Sequence, residues 1–294
     1  MTNLKLTALS ARNYPSTEEK RPNFGDCFLI DNGKTLCIFD CGCELHAQRV
    51  EQYMKIAGYA KAAVILSHND ADHFDGIPYL VEKGLVSEIY CHLFLKHKKE
   101  ILEMLNDGRV TDHSVGERIK RVYENISSLS MKVPLKDAMT AGAITSDVKI
   151  VGPDEEYSLE TVTKALKSSK TNKIDAETLV NAASIQLAVS FPQGKCLLCG
   201  DASFEAISDK LKDYSIIQLP HHGKAETAQK IFNAKAQNRN TVYLVSDNTG
   251  DTNGGSDKLN TYGKIVRNTK AGEVHYPNDM RVSPPAVRGT LGLF

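Results

Sequence analysis

Apolar and polar positions along this chain fall into short runs, and few of them extend beyond a dozen residues. Residues 4–11 alternate in period two, which predicts a half-buried strand. Cys27–Ile30 and Thr35–Phe39 flank Asp31-Asn32-Gly33-Lys34, the pattern of a hairpin around a tight turn. Val50, Tyr53, Met54 and Ala57 recur at helical spacing before Gly58, so 46–58 is predicted as a helix. The apolar run Ala62–Leu66 predicts a buried strand, followed by a helix near 75–83 and a strand over 87–91. Between about 92 and 140 the pattern changes. Residues 96–104 and 115–127 are amphipathic and rich in Lys and Glu, which predicts a helical insertion or lid. Beyond it come a strand over 143–151, a helix over 157–169 and a polar, flexible stretch over 170–176. A second hairpin (184–191 and 195–199), a strand over 215–219, a helix over 225–234 and a strand over 241–245 follow. The chain closes with a polar loop (246–256), a helix over 257–267, short strands around 273–283 and a loose tail over 283–294. Hairpins with inserted helices, in place of repeated strand–helix–strand units, predict α/β architecture of two packed sheets with helices outside.

Composition narrows the class. The 294 residues are 41% hydrophobic and 24% charged with formal net charge zero, the profile of a soluble globular protein with a large core. No Pro/Gly/Ser-rich linker divides the chain, so one domain over 1–294 is expected. Neutral charge argues against coating nucleic acid by bulk electrostatics and leaves room for a local basic cleft. No apolar run approaches the ~20 residues of a membrane span, and residues 1–7 lack the apolar core of a signal peptide. Seven cysteines, an odd number mostly inside strand-like runs, predict reduced thiols and a cytoplasmic location. Cys196 and Cys199 have the spacing of half a zinc ribbon, but no second pair accompanies them, and they read as part of a strand. Lys96, Lys98, Lys99, Arg109, Arg118, Lys120 and Arg121 in the insertion have two readings: a solvated helix face or a wall toward an anionic substrate.

The chemistry gathers at strand ends. Ala62–Leu66 empties into Ser67-His68-Asn69-Asp70-Ala71-Asp72-His73, with metal-capable side chains at His68, Asp70, Asp72 and His73. Three other predicted strands end in the same residue types: Asp40, Asp201, and His221 with His222. Packing gives polar strand ends no reason to be His and Asp so consistently. Imidazoles mixed with carboxylates suit zinc, manganese or iron.

The set resembles the metallo-β-lactamase superfamily, in which His-x-His-x-Asp-His follows a core strand. Asp70 stands here where the second His is usual. That variant, with Gly200-Asp201 and Pro220-His221-His222-Gly223, is similar to the ComEC-like domains of the superfamily, as is the framing by 25–30, 38–42 and 181–184. The resemblance implies a four-layer αββα sandwich and two divalent ions, Zn or Mn. It implies that His68 and Asp70 hold the first ion, that Asp72, His73 and His222 hold the second, and that Asp201 bridges them. Asp40 is expected to orient ligands from behind, with Asn181 and Ser184 supporting the site. Asn181 falls where most members place a ligating His, which makes the first position richer in oxygen and shifts the expected metal toward manganese. Residues 246–255 lack the Gly-His-Pro element that ComEC-like domains often carry.

The implied chemistry is hydrolysis by water whose pKa two ions lower, in line on phosphorus. Asp72 or Asp201 is a candidate proton acceptor, and His221 or Lys224 a candidate leaving-group acid. A phosphodiesterase or nuclease acting on nucleic acid or a small phosphodiester is therefore expected, with no membrane partner. Hydrolysis of a small ester, lactone or phosphoester stays open, because fold does not fix substrate. A non-catalytic interaction module is the third reading.

Overall fold

The computed structural model of the chain describes residues 4–15, 23–108, 110–167, 173–174, 177–249 and 255–279. Two sheets form its centre. The first contains β1 (Lys5–Ala8), β2 (Cys27–Asp31), β3 (Leu36–Cys41), β4 (Ala62–Ile65), β5 (Val86–Cys91) and β6 (Leu135–Asp137) side by side in chain order. The second contains β7 (Val148–Gly152), β8 (Gln186–Phe191), β9 (Gly194–Leu198), β10 (Ile216–Gln218), β11 (Val242–Val245) and β12 (Ile265–Asn268), also in chain order. A last strand, β13 (Val274–Tyr276), returns to pair with β1. Each sheet is part antiparallel and part parallel: β3 to β6 run parallel in one, β9 to β12 in the other.

Period-two alternation within each strand builds the layers. Phe28, Ile30, Phe39 and Ile65 meet Leu187, Val189, Leu198 and Leu244 in the core between the sheets. Their neighbours Leu29, Ile38 and Val64 turn outward onto α1 (Glu44–Ala57) and, beyond the short α2 (Ala71–Phe74), α3 (Ile77–Glu82). The insertion consists of α4 (Lys98–Leu105), α5 (Asp112–Val122) and α6 (Glu124–Leu129), followed by the single turn α7 (Ala138–Ala141). Ile101, Leu105, Val115 and Ile119 there share a separate small core with Leu159 and Val162 of α8 (Glu155–Lys167). After α9 (Leu179–Ala182), helices α10 (Phe204–Ile207) and α12 (Ala225–Ala234) cover the second sheet, where Leu197, Ile217 and Leu219 pack on Ile207, Ile231 and Phe232. Between them lies α11 (Pro220–Gly223). Strands covered on both faces read as nearly continuous apolar runs, and the expected four-layer sandwich is observed.

Local expectations differ at four places. The helix expected over 257–267 is a series of turns that ends at Gly263, with φ of 68°, before Ile265–Asn268 pair with Val242–Val245. β6 lies inside the stretch read as helical insertion and extends the first sheet in parallel with β5. Residues 143–147 contribute one isolated bridge, Ala143 to Lys149, instead of strand. Helical structure begins at Ala71, within the cluster of candidate ligands, and not at 75. Arg109, the tail over 283–294 and most of the stretch over 170–176 lie outside the described residues. None of the described helices is long and apolar enough to cross a membrane.

Two buried histidines hold loops as neutral groups. Tyr14 O–H donates to His46 Nδ1 at 2.7 Å, and His46 Nε2–H donates to Gly25 O at 3.2 Å. His92 Nε2–H donates to Ala183 O at 2.8 Å. Burial pulls both imidazoles down to about 4. An unfolded His titrates near 6.5, so between those values the unfolded chain binds more protons. Stability is therefore lost as pH falls from about 6.5 to about 4, by roughly 3 kcal/mol per group. Urea unfolding of metal-free protein at pH 7 and pH 4 measures this: His92→Gln is expected to show a smaller acid-induced loss than the parent chain. An identical loss contradicts it.

Candidate metal centre

The C-terminal ends of parallel strands from both sheets meet at one rim. β3 ends at Asp40 and Cys41, β4 runs into Ser67 and His68, β9 into Asp201, and β10 into His221 and His222. β2 runs antiparallel to β3, so its beginning, Asp26, reaches the same rim. A main-chain bond joins the halves, Ile185 N donating to Ser67 O at 2.9 Å, and within the second half His221 N donates to Gly200 O at 3.2 Å.

The hydrogen-bond network assigns each imidazole its tautomer. Asp40 is completely buried and accepts from Ser67 N and Ser67 Oγ, both at 2.6 Å. It also takes His73 Nδ1–H at 2.8 Å. Because the Ser67 hydroxyl proton goes to Asp40, its oxygen accepts from His68 Nδ1 at 3.0 Å. Asp26 and Ser246 O accept from His222 Nδ1, each at 3.0 Å. Glu177 Oε2 accepts from His221 Nδ1 at 2.5 Å, and Lys224 Nζ donates to its other oxygen at 2.7 Å. All four rings therefore present Nε2 to the interior of the site.

Asp201 is where those nitrogens converge. Its Oδ1 is 3.3 Å from His73 Nε2, and its Oδ2 is 3.9 Å from His68 Nε2 and 3.8 Å from His221 Nε2. Asn181 Nδ2 donates to Oδ2 at 3.2 Å, while Ser184 Oγ accepts from Asp201 N and contacts His68 Nδ1, both at 3.2 Å. Asp70 Oδ2 lies 3.6 Å from His68 Nε2 at the outer side of the site. Asp72 Oδ2 lies 2.9 Å from His222 Nε2 and accepts from Asn23 Nδ2 at 2.7 Å.

These donors fit divalent cations. His68 Nε2, His73 Nε2 and Asp201 Oδ1 are buried and have no hydrogen-bond partner. Orphaned polar atoms in a protein interior are costly and usually find a partner. The same three residues form a buried trio whose ligand atoms lie within 4.8 Å of one another. A second trio, Asp26, His73 and His222, meets the same distance criterion, but Asp26 already accepts from His222 Nδ1, so its role is to aim that ring. Electrostatics point the same way. Burial alone depresses the imidazoles of His73 and His222, yet the surrounding carboxylates of Asp201, Asp40 and Asp72 for the first, and of Asp26, Asp72 and Asp201 for the second, raise both well above the ordinary value. Burial alone raises the Asp201 carboxyl, but His73, His222 and His221 hold it well below the usual range. The pocket carries more negative charge than its neutral imidazoles balance.

Comparisons with known proteins bear on the fold. Residues 21–155 match the family model of the metallo-beta-lactamase superfamily. Over those residues the sequence is similar to that superfamily. The metallo-β-lactamase fold protein YhfI from Bacillus subtilis superposes with a TM-score of 0.52 at 15% identity, covering 94% of this chain and 100% of that one. A diphosphatase from the PhnP family gives 0.47 at 11% identity over 90% and 95%. The metallo hydrolase Igni18 from Ignicoccus hospitalis gives 0.46 at 11% over 92% and 98%. At these identities the likeness is one of fold. No curated protein matches the chain significantly.

The anticipated residues Asp40, His68, Asp70, Asp72, His73, Asn181, Ser184, Asp201, His221 and His222 all lie at the rim. Three further residues were missed. Asp26 and Glu177 each orient an imidazole. Gln218, fully buried, accepts from Cys199 N at 2.6 Å and Gly200 N at 2.9 Å and so shapes the turn that carries Asp201. A Gly-Asp pair at 25–26 like that at 200–201 was a usable signal for Asp26; Glu177 and Gln218 had none. His46 serves Gly25 through its Nε2–H.

The Asp72 main chain is wedged between two glycines. A Cβ on Gly25 meets Asp72 O at 1.7 Å, and one on Gly42 meets it at 2.1 Å. Gly42→Ala is therefore expected to displace Asp72 and weaken zinc binding at least about tenfold in a competition titration with a chromophoric chelator. Asp26→Ala, which strips His222 of its acceptor, is expected to cost about 10–100-fold by the same assay. Unchanged affinity in both variants contradicts the ligand assignment.

Proposed function

We propose that this chain is a hydrolase that works with two divalent ions, zinc or manganese, and that its substrate is a phosphodiester in nucleic acid or a nucleotide. The observation that carries the reading is the set of buried, unpartnered atoms His68 Nε2, His73 Nε2 and Asp201 Oδ1. His68, Asp70 and Asp201 would hold one ion, and Asp72, His73, His222 and Asp201 the other. Bound there, two ions lower the pKa of water and offset charge developing on a phosphoryl group.

The chain's own residues supply the rest. Asp72 and Asp201 are the carboxylates placed to take a proton from water. His221 Nε2 faces Asp201 while Glu177 fixes the ring from behind, an arrangement suited to handing a proton to a leaving oxygen. His221 is partly open to solvent and can reprotonate between turnovers. Phosphodiester is favoured over carboxylic ester because Asp70 replaces an imidazole with an oxygen donor, which suits a harder ion, and because Asp70 with Asn181 in place of two histidines is the ComEC-like pattern.

Purified chain is expected to carry two divalent ions. Chelation should abolish cleavage of bis-p-nitrophenyl phosphate, and manganese or zinc should restore it. Asp72→Ala should lower the rate at least about 100-fold; unchanged cleavage would refute the site. Opening of a lactone with no phosphodiester touched would refute the substrate class. His221→Ala is expected to slow a diester with an alkyl leaving group about 100-fold and a p-nitrophenyl ester only a few-fold. Equal losses contradict the proton-donor role.

A further inference from the structure

A groove of about 440 Å³ opens beside the metal centre, lined by Asn69, Arg121, Val122, Glu124, Asn125 and Ser128. One wall is Asn69, the residue between His68 and Asp70. The other is the junction of α5 and α6 in the helical insertion. The two walls are clasped together. Asn69 Nδ2 donates to Val122 O at 2.7 Å and to Asn125 Oδ1 at 3.3 Å, and Asn125 Nδ2 donates back to Asn69 O at 3.1 Å. The helical insertion is thus bonded to the ligand-bearing loop itself, and the groove it makes is fixed before any ligand arrives.

The basic residues of the insertion divide accordingly. Lys98 pairs with Asp112, Lys120 with Glu117, and Arg118 donates to Leu166 O. Arg121 is exposed, lines the groove and makes no hydrogen bond or salt bridge among the described residues. A guanidinium fork that feels the Glu117 carboxylate but leaves its hydrogen-bond donors unused at the edge of a groove matches a phosphate. Glu124 on the same rim offsets one charge, so a singly charged diester suits the groove better than a doubly charged monoester.

We propose that this groove binds the nucleotide next to the scissile phosphodiester and that Arg121 holds its phosphate. The proposal rests on the phosphodiesterase reading and names the part of the substrate that the insertion recognises. Its test compares the 5′-p-nitrophenyl phosphate ester of the dinucleotide TpT, which has a flanking diester, with bis-p-nitrophenyl phosphate, which has none. Arg121→Ala is expected to raise KM for the dinucleotide ester about five- to tenfold. kcat, metal content and the KM for bis-p-nitrophenyl phosphate should stay within twofold, and Arg121→Lys should recover part of the loss. Equal KM for the dinucleotide ester in parent and Arg121→Ala overturns the proposal. Equilibrium binding of TpT to zinc-loaded protein separates this claim from the reaction. If no diester is cleaved but Arg121→Ala weakens TpT binding by a similar factor, the groove assignment stands and the reaction reading falls. If TpT binds both proteins equally, the groove assignment falls.

Discussion

The site depends on one buried carboxylate. Asp40 lies at the end of β3 with a left-handed φ of 57°, fully enclosed, where no water can satisfy it. An ionised carboxylate there is tolerable only if the protein supplies its hydrogen bonds. Ser67 supplies two and His73 supplies another. Meeting that demand ties β3 to the loop after β4, directs the Ser67 hydroxyl, and so fixes the tautomer of His68 as well as His73. Asp26 does for His222 what Asp40 does for His73. Two aspartates from neighbouring strands thus convert imidazoles, each able to use either nitrogen, into a set that uses only Nε2.

Strain concentrates at the same rim. His221 and His222 adopt φ of 52° and 56° in succession, followed by Gly223 at 84°. Non-glycine residues held in this region cost roughly 1–3 kcal/mol each. Bonds from Asp26, Ser246 O and Glu177 hold the two rings in place against that cost. An extended chain after Leu219 would alternate the two side chains to opposite sides. The left-handed turn instead brings His222 toward Asp72 and His221 toward Asp201.

Much of this was legible in the sequence because it is local. Hydrophobic runs marked the strands, and His and Asp at four strand ends marked the rim. What sequence reading missed depends on contacts between distant segments. Glu177 meets His221 across 44 residues and directly follows the polar stretch over 170–176. Gln218 sits at the end of a strand, and nothing in its neighbours reveals that its amide closes the Gly200 turn. The region over 257–267 was expected as helix, whereas pairing with β11 decides in favour of strand at its end. The bonds between Asn69 and Asn125, which tie the insertion to the loop after β4, join segments 56 residues apart and leave no local trace in the sequence.

The central claim is that Asp201 joins two ion-binding positions, one beside His68 and one beside His222. Anomalous diffraction from crystals grown with manganese, or with zinc, tests it most directly. The expected result is two peaks flanking Asp201, one next to His68 Nε2 and the other next to His222 Nε2, with His221 Nε2 bound to neither. A single peak, or peaks away from Asp201, would contradict the account.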